Sequence, residues 1–326
     1  MARRGIPCIV APTIMNQGLR AGQPAESSRN LFSGNDLPWP SPPLTVAAPH
    51  WTGSFFEVGS AQVRVLAYDA AESNWSDNLS DMHEAEAGRD HPIGCESRRM
   101  AVESMQQLAA RQPLRILDVG CSTGFVMDDL ARAIPQADLI GADYLQGPLE
   151  KLGQRISGLP LLQFDLRKCP LPDGCVDGIT CLNVLEHIDD DTAALRHMHR
   201  ILKSGGIAHV EVPSNPALHD IYDQHLLHYR RYRLADLVTL AKSAGFEVEK
   251  ATHLGFSVYP AFWCVKKRNR RKLSAPPEEK AKLVVQQIRA TKANPLFSLV
   301  MRAETTLGRI VSYPFGIRCV VVLRKA

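Results

Sequence analysis

The sequence predicts an α/β fold: a doubly wound, mostly parallel sheet with helices packed on both faces. Three observations predict it. After Pro113, strand-like apolar runs alternate with helix-period segments, the pattern of parallel strands joined by crossover helices. The run Arg115-Ile-Leu-Asp-Val119 reads as a buried strand and delivers the chain into a tight turn, Gly120-Cys-Ser-Thr-Gly124, from which a helix starts at Phe125. Such a turn lets backbone N–H groups approach a ligand at a helix N-terminus. An acid, Asp143, ends the next strand run, about 20 residues on, where sheets of this kind hydrogen-bond a ribose.

Taken in order, residues 1–55 are rich in Pro, Gly, Ser and Asn, as in Leu37-Pro-Trp-Pro-Ser-Pro-Pro43. They are expected to be disordered, because so little apolar surface cannot offset chain entropy. Arg3, Arg4 and the apolar run 6–15 do not read as a signal peptide: Pro7 and Pro12 break the run and no small-residue cleavage pattern follows. Residues 56–112 read as a helical cap, with a short strand at 63–67, a polar stretch at 75–92, and a helix N-capped by Ser97 that carries Ala101, Met105 and Leu108 on one face.

The core is expected at 113–253, with strands at 115–119, 138–142, 161–164, 178–182, 207–212 and 246–252. Its best-marked helices are 191–203, striped by Leu195, Met198 and Leu202 and stopped at Gly205-Gly206, and 234–244, striped by Leu234, Leu237, Val238 and Ala241 and stopped at Gly245. Residues 254–313 read as an amphipathic and basic insertion. It holds an aromatic run at 256–265, the block Lys266-Lys-Arg-Asn-Arg-Arg-Lys272, and a helix begun by Pro276-Pro277 with Ala281, Val284, Val285 and Ile288 on one face. The closing segment, 314–326, contains a β-rich run at 318–324 that returns to the sheet.

Composition narrows the classes. In 326 residues the net charge of +4 is too mild to argue for nucleic acid as a partner of the whole chain, and no RNA or DNA motif accompanies the local basic clusters. The eight cysteines include no Cys-x-x-Cys pair, so neither a zinc site nor a disulfide framework is expected, no metal is assigned, and reduced thiols in a cytoplasm are the expectation. No run approaches the roughly 18 apolar residues a membrane helix needs.

The Gly120 turn lacks the third glycine of a dinucleotide fingerprint, with Met127 beyond Gly124. It resembles instead the first motif of class I S-adenosylmethionine-dependent methyltransferases, of the small-molecule, type 11-like bacterial kind, with Ser122 standing where the middle glycine usually is. The resemblance spans roughly 114–212. It implies a seven-stranded Rossmann-like methyltransferase fold and S-adenosyl-L-methionine as cofactor, with Gly120, Cys121, Ser122 and Gly124 at the methionine end, Asp143 on the ribose and Asp165 facing the adenine amino group. The residues after the fourth strand, Asn183, Glu186 and His187, would flank the methionine moiety and the substrate. Asp118 has two readings, a bond to neighbouring backbone N–H groups or a water-mediated contact with the cofactor. Ser122 either narrows the cleft or caps the helix.

A second cluster, His225-Leu-Leu-His-Tyr-Arg-Arg-Tyr-Arg233, packs three arginines, two tyrosines and two histidines into nine residues. It resembles a His-Tyr-Arg-Arg-Tyr stretch of bacterial methyltransferases with surface-sugar and lipid-modifying functions, and implies substrate gating. Arg230 and Arg231 are the substrate-binding candidates, since guanidinium groups recognise carboxylate or phosphate in a bidentate manner. His187, His228 and Tyr229 are the candidate bases for a hydroxyl acceptor. The block 266–272, between an aromatic run and an amphipathic helix, suggests peripheral contact with an anionic membrane. The expected activity is methyl transfer to a small-molecule, saccharide or lipid-linked acceptor. The alternatives are a non-catalytic binding module on this fold and an NAD-dependent oxidoreductase.

Overall fold

The computed structural model describes residues 31–33, 37–43, 45–68, 86, 88–292 and 294–326. Four short strands come first: β1 (His50–Trp51), β2 (Phe56–Val58), β3 (Ala61–Val63) and β4 (Val65–Ala67). Helix α1 (Pro92–Gln106) leads to the core, which runs β5 (Arg115–Val119), α2 (Phe125–Ala133), β6 (Asp138–Asp143), α3 (Gln146–Arg155), β7 (Leu161–Gln163), β8 (Val176–Leu182), α4 (Asp191–Ile201) and β9 (Leu202–Pro213). Then follow α5 (Ile221–His225), α6 (Leu234–Ser243), β10 (Glu247–Leu254), α7 (Tyr259–Asn269), α8 (Pro277–Lys292), α9 (Pro295–Leu307) and β11 (Arg318–Arg324).

The main sheet has the order β10-β11-β9-β8-β5-β6-β7-β4. All neighbours from β9 to β4 are parallel, and β11 pairs antiparallel with both β9 and β10. The sheet is therefore mostly parallel and doubly wound, as expected, and strand order reverses between β5 and β8. A crevice opens beyond the strand ends at such a reversal. β5 and β8 are buried on both faces, which is why they read as nearly continuous apolar runs.

Three expectations are corrected. Among the described residues the sheet has eight strands, because β4 pairs with β7. Residues 31–55, within the segment expected to be disordered, bury Phe32, Leu37, Trp39 and Trp51. Phe32 packs on Trp39 with centroids 5.5 Å apart, and Phe56 lies 5.0 Å from Trp39 and 4.8 Å from Trp51. A few large aromatic side chains carry enough apolar area to dock an otherwise Pro-rich segment; residues 1–30 lie outside the described part. The cap of 56–112 is not purely helical, since β1, β2 and β3 make a small antiparallel sheet. Its helix starts at Pro92, so Ser97 is interior rather than an N-cap and its hydroxyl donates to Ile93 O.

The insertion is three helices. In α7 most of the aromatic run and the first part of the basic block, 266–269, are one element, and Arg270–Lys272 follow as a 3-10 turn. Phe262, Lys266 and Asn269, four and three residues apart, share the inward face of α7. Lys266 and Asn269 are buried. Among the described residues no helix is long and apolar enough to cross a membrane.

Candidate active site

A cavity of about 1080 Å³ lies over the strand-order reversal. One wall is made of the loops after β5, β6, β7 and β8. The other is made of α1, the segment between β9 and α6, and helices α7, α8 and α9.

The strand-end wall begins with the turn 120–124. Gly120 has φ +74°, and a Cβ there would meet Val184 Cγ2 at 2.4 Å. Only glycine lets the turn pass under Val184, which itself lines the cavity. Ser122 also has positive φ, +45°, and its N–H donates to Asp143 Oδ2 at 3.0 Å. Asp143 Oδ1 accepts from Leu145 N–H at 3.0 Å. The turn and the second strand end are thus tied together by one carboxylate. Gly120, Cys121, Ser122, Asp143, Asp165 and Asn183 all line the cavity.

Two of the cofactor-site candidates do not line it. Gly124, at φ +79°, is the N-cap of α2, and a Cβ there would meet Leu152 Cδ1 at 2.6 Å, so this glycine serves packing against α3. Asp118 is buried in β5. Its Oδ1 accepts from Thr180 Oγ1 at 2.6 Å and its Oδ2 has no hydrogen-bond partner. The partner is a neighbouring strand's hydroxyl, not the turn's backbone N–H groups. Burial pushes the Asp118 carboxyl up to about 7, against the Thr180 bond.

Asp165 is buried and held by Arg167, which donates through its backbone N–H at 2.8 Å and through Nη2 at 2.6 Å. Arg167 also bonds Asp189. Tyr144, Phe164, Leu166 and Arg167 complete this end of the cavity. Sequence reasoning missed them; their position directly after strand ends was the available signal.

Past β8, Asn183 takes φ +55° and donates its N–H to Glu211 O at 2.8 Å. A single 3-10 turn, Leu185–His187, then presents Glu186 and His187 to the cavity. Glu186 is 1% exposed and its Oε2 has no hydrogen-bond partner. Burial pushes its carboxyl up to about 8.

The cluster 225–233 docks on this turn. Tyr229 N–H donates to Glu186 O at 2.8 Å, and Tyr232 Oη reaches Leu185 O at 3.1 Å and Asp191 Oδ2 at 2.9 Å. His228 and Arg231 face the cavity, Tyr229 is half exposed at its edge, and Arg230 turns away to pair with Asp191 at 2.8 Å. His228 Nδ1 lies 2.9 Å from Asp223 Oδ1, and its ring meets His187 edge-on at 4.8 Å between centroids. Burial lowers the His228 imidazole, and the Asp223 bond opposes this only in part.

Asp223 is the centre of a buried ion cluster. Arg231 donates to it at 2.7 Å, and Lys266 reaches Asp220 at 2.6 Å and Asp223 at 3.4 Å. Burial works against the charged Asp223, but the His228 bond and the charges of Arg231 and Lys266 outweigh it and hold the carboxyl below the ordinary range. Lys266 is therefore not available to a lipid headgroup, and Lys272 pairs with Glu279 at 2.7 Å.

The helical wall is apolar where α7, α8 and α9 meet the cavity, through Val258, Phe262, Val265, Ile288, Phe297 and Val300. Arg318, at the start of the last strand, also faces in; it bonds Ser97 at 3.0 Å and pairs with buried Glu211.

Comparison with known proteins follows the same wall. Residues 117–210 match the family model described as "Methyltransferase domain". Over that stretch the chain is similar to S-adenosylmethionine-dependent methyltransferases. A protein of Mycolicibacterium smegmatis named a probable S-adenosylmethionine-dependent methyltransferase is 32% identical over 150 residues, 44% of this chain and 56% of that protein. The ubiquinone biosynthesis O-methyltransferase of Xanthomonas oryzae pv. oryzae is 37% identical over 99 residues, 28% of this chain and 40% of that one. The chain thus spans about half the length of the first curated relatives it matches. A Haloferax volcanii methyltransferase, solved in complex with the Trm112 methyltransferase activator, shares the fold at a TM-score of 0.50 and 14% identity, covering 78% of this chain and 99% of that one.

The strand-end wall offers groups that S-adenosylmethionine would need. The Gly120 turn brings backbone beside the cavity, and the Asp143 carboxylate lines it at a strand end, the position from which sheets of this kind hydrogen-bond a ribose. Tyr144, Phe164 and Leu166 give that end of the cavity an apolar and aromatic lining.

Proposed function

We propose that this chain transfers a methyl group from S-adenosylmethionine to a hydroxyl oxygen of a small acceptor with an apolar part. The observation that carries the reading is one cavity with the family's strand-end turns on one side, the polar group Glu186, His187 and His228 beside them, and an apolar wall of α7, α8 and α9 opposite. The bound cofactor supplies an electrophilic methyl on a sulfonium.

The protein's own contribution is alignment, exclusion of water and management of one proton. Gly120 to Ser122 hold the methionine end, Asp143 the ribose, and Asp165 with its Arg167 the base. Asp223 keeps a proton on His228 Nδ1, which leaves the Nε2 lone pair for the cavity side. With its affinity for a second proton lowered by burial, His228 stays neutral near pH 7 and can accept the hydroxyl proton. Arg231 acts on the acceptor side through Asp223 and the wall, while Arg230 braces the loop.

Phe262, Val265, Phe297 and Val300 favour an acyl, prenyl or aromatic acceptor over a bare saccharide. Contact with an anionic membrane is a second reading, favoured by exposed Leu296 on the same cavity as Arg268. The test is calorimetric binding of S-adenosylmethionine, followed by transfer of a labelled methyl group to extracted lipids, quinone precursors and sugars. Binding with label in an apolar hydroxylated product is expected. Absence of cofactor binding would sink the reading.

A further inference from the structure

We propose that Glu186, His187 and His228 form a binding site for a divalent transition-metal cation that takes the acceptor oxygen as its exchangeable ligand. The three residues offer a carboxylate oxygen and two imidazole nitrogens that all lie within 4.8 Å of one another. Metal–ligand bonds of about 2.0–2.2 Å place tetrahedral neighbours roughly 3.4 Å apart, so the group closes by about an ångström on binding. Glu186 and His187 would have to move towards His228, whose ring Asp223 holds.

Two further observations point to a ligand. The Glu186 carboxylate is 1% exposed, faces the cavity, and keeps Oε2 without a hydrogen-bond partner. A buried carboxylate oxygen without a partner is costly, and a cation would offset that cost. His228 donates Nδ1–H to Asp223 at 2.9 Å. Ligating histidines are usually oriented in this way, the far nitrogen held by a carboxylate and the near one on the metal. Glu186 and His187 are adjacent in one 3-10 turn, and His228 comes from the loop that the Tyr229–Glu186 backbone bond pins against it.

The charge balance permits a cation. Arg231 and Lys266 are nearby, but Asp220 and Asp223 pair with them at 2.6–2.7 Å and cancel their charge. Glu186 then contributes one negative charge against the dication. The remaining positive charge favours a deprotonated oxygen in the open position. Two imidazoles and one carboxylate suit Zn²⁺, Co²⁺, Mn²⁺ or Fe²⁺ better than Mg²⁺ or Ca²⁺.

The metal's role in the reaction rests on the proposed transfer to a hydroxyl, whereas its binding does not. A hydroxyl held there releases its proton to water, its oxygen forms the bond to the methyl carbon, and the carbon–sulfur bond breaks with its electron pair on sulfur. His228 is then a ligand instead of the direct base.

The test uses the full chain stripped with a chelator, titrated with Co²⁺ by visible absorption and with Zn²⁺ in competition, with Mg²⁺ as a control. One saturable Co²⁺ per chain is expected, displaced by Zn²⁺ and unaffected by Mg²⁺. Glu186→Gln and His228→Asn should each weaken Co²⁺ binding at least tenfold while a cooperative thermal unfolding transition, measured in parallel, reports that each variant is folded. Glu186→Gln preserves shape and serves where His228→Asn fails to fold. Absence of saturable Co²⁺ or Zn²⁺ binding, or wild-type Co²⁺ affinity in Glu186→Gln, overturns the site and leaves His228 as the direct base. Metal binding without cofactor binding supports the site and counts against the proposed transfer instead.

Discussion

The wall formed by residues 119–126, 142–144 and 164–167 takes its shape from short backbone turns. The wall formed by 91–98, 222–231, 258–268 and 287–300 takes its shape from side chains that meet across long stretches of chain. In the first, Gly120 and Ser122 take positive φ, Gly120 N–H donates to Ala142 O, and Ser122 N–H donates to Asp143, 21 positions away. In the second, Lys266 meets Asp220 across 46 positions and Arg318 meets Ser97 across 221. A local turn is encoded where it forms. A long-range ion cluster exists only once both strands of the chain have arrived, so the two walls should fail separately.

The largest separation is expected from Asp223→Ala. It leaves Arg231 and Lys266 short of a buried partner and frees His228. Breaking such a pair costs about 3–5 kcal/mol. Urea unfolding should lose that much, with the helices of 259–307 gaining hydrogen exchange before the parallel strands. A loss below about 1 kcal/mol would mean that the helical wall stands on its apolar contacts alone.

Asp143→Ala probes the other wall. Removal of a charged acceptor costs about 1.5–3 kcal/mol, so S-adenosylmethionine should bind at least tenfold more weakly by calorimetry. The unfolding midpoint should move far less than in Asp223→Ala. Unchanged affinity would remove Asp143 from the ribose.

Asp118→Asn sharpens the comparison through pH. In the folded chain this carboxyl titrates at about 7 against an ordinary 3.8, so the native state holds a proton that the unfolded state releases. Its favourable contribution is fully present below pH 3.8 and is lost as pH rises through 7. The variant keeps the bond from Thr180 and should flatten that part of the dependence of stability on pH, with little change in cofactor affinity. A wild-type pH slope in the variant would assign the titration elsewhere.

The smallest effect is expected for Arg230→Ala. Its pair with Asp191 is partly exposed, and such pairs contribute about 0–1 kcal/mol. Turnover should fall less than in Arg231→Ala, whose guanidinium is buried on Asp223 and lines the cavity. Equal losses in kcat would restore Arg230 to the substrate side.

The sequence by itself determined the parallel sheet, the strand-order crevice and the strand-end residues Gly120, Ser122, Asp143 and Asp165, because apolar strand runs, glycine dihedrals and an acid at a strand end are all local. It also marked His187, His228 and Arg231 as chemical side chains. Only the tertiary structure decided that Gly124 packs against Leu152 and that Asp118 lies under the site with Thr180. It decided as well that Arg230 and Arg231 point opposite ways, and that Lys266 leaves its basic block for a buried cluster. It brought Trp39 and Trp51, from a Pro-rich segment, into the core. The physical reason is the same in each case: burial and charge pairing depend on which distant surface covers a residue, and no spacing along the chain encodes that surface.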